Sequence, residues 1–179
     1  MTKDTPVLIA RMELFASKLA GFFAIIGGLL LLTACVLTVL SIMGSIVLRP
    51  LPGEIELVEA LCGLAVFAFL PFCQLKRGHV GVDIIIGALG SKAMNWSQLI
   101  GDVLIAVLFA VITWRHAIGT MDKFENGEIT PLLLLPVWWG FAAALVLLAA
   151  NLIVSIFVVI ADANAIRQKK TIVSAMGVH

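Results

Sequence analysis

The chain reads as an all-α integral membrane protein with four transmembrane helices, and three features predict it. Hydrophobic residues make up 61% of the 179 residues and charged residues only 13%, whereas a soluble domain is roughly half apolar. The apolar runs are long enough for four spans, each needing about 20 helical residues to cross a hydrocarbon core about 30 Å thick. The polar segments left over are too short to bury a core of their own, which excludes a catalytic globular appendage. A net charge of +1 predicts neither nucleic-acid binding nor a polybasic arm. Cys35, Cys62 and Cys73 all fall in apolar runs; their odd number argues against a disulfide framework and for small packing residues.

The elements follow in order, within one membrane domain over 1–179 and with spans at about 19–48, 57–75, 97–118 and 132–161. Residues 1–18 carry Lys3, Arg11 and Lys18, with Leu8, Ile9, Met12, Phe15 and Leu19 at helical spacing; this predicts an amphipathic helix lying on the membrane. Span one has no charge from Leu19 to Leu48, too long for the apolar part of a secretory signal. Ala20, Ala24 and Gly28 form a stripe of little bulk that another helix can approach closely. Arg49, Pro50, Pro52 and Gly53 break the helix, and Glu54, Glu56 and Glu59 lead into span two.

On a helical wheel Glu59, Gly63, Val66, Leu70, Cys73 and Arg77 share one face, which predicts that this face is packed and that Glu59 avoids lipid. Pro71 removes a backbone hydrogen bond and is expected to kink the span. Residues 82–95 are too short and interrupted to cross, and read as a segment in the interface. Trp96 marks the entry of span three, and Trp114, Arg115 and His116 its exit. Residues 119–131, with Asp122, Glu125, Gly127 and Glu128, read as a polar loop. Span four opens near Leu132, is capped around Pro136, and carries Trp138 and Trp139 at the headgroup level favoured by tryptophan.

Lys and Arg number three before span one, three between spans two and three, and three after span four, against one and two in the other loops. The positive-inside rule therefore predicts cytoplasmic termini and a cytoplasmic His79 loop. Glu54, Glu56, Glu59, Asp122, Glu125 and Glu128 then form a negative outer face.

Candidate chemistry is sparse. A haem- or quinone-linked membrane anchor is one alternative, but His79, His116 and His179 fall at the inner end of span two, the outer end of span three and the tail, which disfavours a bis-histidine site. No His/Cys/Asp cluster has metal spacing, and neither a phosphate loop nor a nucleophile–base pair stands out; no cofactor is expected. Glu59, Asp102 and Asn151 remain as polar groups in or near the membrane. They line a substrate or proton path, as a stand-alone small transporter requires, or they hydrogen-bond across helices for assembly. Lys76, Arg77, His79 and Asp83 form a polar corner in which cations meet headgroup phosphates and Asp83 caps or salt-links the next helix.

Gly53-Glu54, Glu59, Phe67 and the corner Arg77-Gly78-His79-Val80-x-Val82-Asp83 resemble the signature of the small membrane subunit, DctQ-type, of tripartite ATP-independent periplasmic (TRAP) transporters. The resemblance extends to four spans, both ends inside, and about this length. It implies a non-enzymatic scaffold in the bacterial inner membrane that binds a large multi-span permease subunit (DctM-type). That partner carries sodium and an organic acid delivered by a periplasmic substrate-binding protein (DctP-type). It further implies that the acidic outer loops with Trp138 and Trp139 help dock the binding protein, and that the Arg77 to Asp83 corner fixes the inner end of the scaffold.

Overall fold

A computed structural model describes residues 5–47, 52–76 and 91–167. It contains four long helices: α1 (Thr5–Val47), α2 (Glu54–Leu75), α3 (Ser91–Glu125) and α4 (Val137–Arg167). All four are long and apolar enough to cross a membrane. Two antiparallel hairpins, α1/α2 and α3/α4, join through contact between α2 and α4, with a lighter contact between α1 and α4. Half of α4's most apolar window is buried, against 11% for α1 and 6% for α3. The helices therefore form a row folded around α4, with α1 and α3 on the outside.

Lipid supplies no hydrophobic drive between helices, so the contacts depend on close van der Waals approach between small side chains. Along α1, Ala20, Gly27, Ala34 and Ser41 are buried. They recur every seven residues, the 3.5-residue period that keeps one seam facing a partner in left-handed crossings. A Cβ built at Gly27 would lie 3.1 Å from Phe69 and 3.2 Å from Ala68 of α2. The predicted four-residue stripe is thereby corrected: Ala20 is on the seam, Ala24 is half-buried, and Gly28 is exposed with nothing within 4 Å of such a Cβ. Steps of four advance 40° each and walk off the contact line.

The packed face of α2 also differs from expectation. Ala65, Ala68, Pro71 and Gln74 are buried, while Glu59, Gly63, Val66 and Cys73 are exposed. Small alanines, which admit α1, mark the contact; the acid marks the opposite side. The helix continues through Pro71 to Leu75. Cys35 and Cys73 are free thiols on the outside of the bundle and not interior packing groups.

Boundaries shift as well. Lys18, Leu19 and Ala20 contain no breaker, and the amphipathic stretch and span one form a single 43-residue helix, about 65 Å long at 1.5 Å per residue. Helix α3 begins at Ser91 and runs to Glu125, so residues 119–125, read as loop, are helical. Helix α4 starts only after Pro136. The interfacial segment expected at 82–95 lies mostly outside the described residues. Several hydroxyls within the spans bond back one turn, as Thr33 does to the Leu29 carbonyl (2.8 Å) and Thr113 to that of Phe109 (2.7 Å); this satisfies them without water.

Candidate functional site

At one end of the bundle the turn before α2 meets the α3–α4 connection. Gly53 holds φ +76°, and an added Cβ there would lie 2.4 Å from the Leu133 side chain. Glycine is needed on both counts: left-handed backbone disfavours a side chain, and Leu133 occupies the space. One turn on, the Glu56 carboxylate accepts the backbone N–H of Leu132 (2.7 Å) and of Leu133 (3.1 Å). The rest of the loop closes on itself. Thr130 N–H donates to the Leu135 carbonyl (2.9 Å), Leu134 N–H to that of Thr130 (3.2 Å), and Val137 N–H to that of Glu128 (2.9 Å). Leu135 N–H donates to Thr130 Oγ1 (3.1 Å).

This loop roofs a cleft of about 530 Å³ between α2 and α4. Its walls include Glu59, Gly63, Phe67, His116, Gly140 and Ala144. His116 reaches across from α3: its Nε2 lies 3.0 Å from the Phe141 carbonyl, which can only accept, so Nε2 carries the proton. The ring stacks on Phe141 at 5.1 Å with a 5° interplanar angle. His116 is thus a helix-to-helix link whose Nε2 is already engaged, and no three His, Cys, Asp or Glu side chains gather as metal ligands among the described residues.

At the opposite end, Gln74 Nε2 of α2 donates to Asp102 Oδ1 of α3 at 3.5 Å, both side chains buried. Ala16, Leu75, Phe157 and Val158 pack at the same end. Between the two ends Leu148, Asn151 and Ser155, all fully buried, follow one another along a single seam of α4, and Asp162, almost fully buried, continues it past Val158.

The predicted site residues separate accordingly. Glu54 is half-buried in the first turn of α2, and Glu59 is exposed at the cleft. Trp138 is half-buried, stacked edge-on against Phe124 at 5.3 Å, and Trp139 is 57% exposed. Arg77, His79 and Asp83 lie outside the described residues. Glu59 and Asp102 are not brought together: Gln74, the Asp102 partner, is fifteen residues along α2 from Glu59, about 22 Å in a helix. Two contributors escaped sequence reading. Glu56 appeared only as one acid among three, because its partners are main-chain amides 76 and 77 residues away; Gln74 sat too close to the Lys76–Arg77 corner to stand out.

A family model described as "Tripartite ATP-independent periplasmic transporters, DctQ component" matches residues 34–165, about three quarters of the chain. Comparison with curated proteins and comparison with solved structures each returned no match. The matched segment takes in the last third of α1, all of α2 and α3, and nearly all of α4. This chain belongs to the DctQ component family of tripartite ATP-independent periplasmic transporters, a family of small permease subunits and not of enzymes.

Proposed function

We propose that this subunit is a scaffold: it holds a much larger multi-span permease subunit in the inner membrane, and that partner moves an organic acid with sodium after delivery by a periplasmic binding protein. The observation that carries the reading is the one-sided packing of the outer helices. Helices α1 and α3 are each longer than a bilayer requires, yet they bury little of themselves within this chain, leaving broad apolar faces for a partner helix or for lipid. Glu59 and Asp102, the acids a self-contained path would need together, are at opposite ends. The cross-helix Gln74–Asp102 bond supports an assembly role for the inner acid.

Both termini are cytoplasmic in this reading, and the Gly53 turn with the α3–α4 loop is periplasmic. Asp122 and Glu125 are exposed there, while Glu128 is bound to Lys123 at 2.6 Å. The acids open to a binding protein are then Asp122 and Glu125. The test is to express the chain with its native neighbours, purify it by a tag in mild detergent, and identify what accompanies it while recording a visible spectrum. A large multi-span permease in roughly equal amount is expected. A lone chain carrying a haem band would overturn the scaffold.

A further inference from the structure

The α3–α4 connection combines features that a water-exposed loop does not need together. From Ile129 to Pro136 it contains no charged residue. Ile129, Leu132, Leu134 and Leu135 are exposed, and beside them so are Ile55 of α2 and Trp139 of α4. Yet every main-chain N–H from Thr130 to Val137 has an acceptor within the protein, Pro131 and Pro136 having none to offer. Leu134 holds φ +54°, the only non-glycine residue with positive φ among the described residues. That left-handed conformation disfavours an ordinary side chain, yet the Leu134 side chain it carries remains 64% exposed.

Depth follows from the neighbours. Helix α2 has 22 residues, about 33 Å, barely the thickness of the hydrocarbon core, so its first turn stands at the membrane boundary. Leu133 lies on Gly53, and Glu56 holds Leu132 and Leu133, which fixes the loop at that level. Phe124, Trp138 and Trp139 form an edge-on aromatic series beside it, as side chains of the headgroup belt do. A segment with satisfied amides loses little when it leaves water, and its apolar surface is continuous with the lipid-facing surface of the spans.

We propose that the 129–136 loop is a membrane-surface anchor. Ile129, Leu132, Leu134 and Leu135, with Ile55 and Trp139, seat in the boundary between headgroups and acyl chains at that end of the bundle. The occupant of this apolar surface is lipid, and Glu56 acts as its positioning residue by presenting the loop with its amides already paired. The anchor pins the outer end of α2 and the start of α4 at one depth.

The test uses the full chain in proteoliposomes, alone and assembled with its large permease partner, with Cys35, Cys62 and Cys73 replaced by Ala. Single variants Leu132→Cys, Leu134→Cys and Asn126→Cys are treated with a membrane-impermeant maleimide. Spin labels at the same sites are then compared for collision with oxygen and with a water-soluble nickel chelate. Leu132→Cys and Leu134→Cys are expected to react at least about ten-fold slower than Asn126→Cys and to favour oxygen, as interfacial apolar positions do, with or without the partner. Reaction as fast as at Asn126 would overturn the proposal. So would protection that arises only when the permease or a binding protein is present, which would assign the surface to a protein contact. Adding Glu56→Ala should raise the Leu134→Cys rate toward that of Asn126→Cys; an unchanged rate would overturn the part given to Glu56.

Discussion

Asn151 is fully buried near the centre of α4, and neither its Nδ2 nor its Oδ1 has a hydrogen-bond partner; Ser155 Oγ, one turn on, is in the same condition. A buried polar group left unpaired costs about 1–3 kcal/mol. Replacing it by an apolar group of similar shape removes that cost. Asn151→Leu is therefore expected to keep or raise the thermal midpoint of the purified subunit in detergent. A fall of several degrees would show instead that Asn151 pairs through ordered water. At this scale the sequence was legible where a polar residue interrupts an apolar run, as Asp102 and Asn151 do. It was opaque where the partner is main chain: the Glu56 clamp joins a carboxylate to amides that carry no sequence signal. Gly53 lies between these cases, since a glycine after prolines announces a turn but not the leucine that will occupy its missing Cβ.

The helices were legible as elements because each apolar run is about a membrane thick, and the faces were not, because small residues are abundant in every span. Gly21, Ala24, Gly27 and Gly28 all compete for the contact line of α1, and only the seven-residue recurrence of Ala20, Gly27, Ala34 and Ser41 tracks the partner. Adjacent glycines supply a direct test. A leucine at Gly27 must displace Phe69 and Ala68, and overpacking of this kind costs about 1–3 kcal/mol. At Gly28 a leucine meets open space. Gly27→Leu is expected to lower the thermal midpoint of the isolated subunit and to weaken a disulfide trap between α1 and α2, whereas Gly28→Leu should leave both unchanged. If Gly28→Leu then reduces recovery of the large permease, that face of α1 is where the partner sits. Equal loss of midpoint in both variants would sink the seam.

For the molecule as a whole, the fold decides which charges act together. Contacts between Gly53, Glu56 and the 130–135 loop place the α1–α2 turn and the α3–α4 connection at one end. The start of α1, the end of α2, the start of α3 and the end of α4 gather at the other. Nine of the twelve Lys and Arg residues lie in sequence on the side of those four helix ends, and three, Arg49, Arg115 and Lys123, on the side of the Gly53 turn and the α3–α4 connection. Each cation held back from translocation favours the same orientation, so no single loop has to decide it, and removing one or two should not invert the protein. A periplasm-active reporter inserted after Asn126 is expected to be active, and a cytoplasm-dependent fluorescent reporter fused after His179 to be bright. Both readings should survive Lys76→Ala combined with Lys92→Ala. Reversed signals in the unaltered chain would invert the bundle and expose the Gln74–Asp102 end to the periplasm. The lipid seat argued for the 129–136 loop would survive that inversion, because it depends on the length of α2 and the pairing of the loop amides and not on which leaflet receives them.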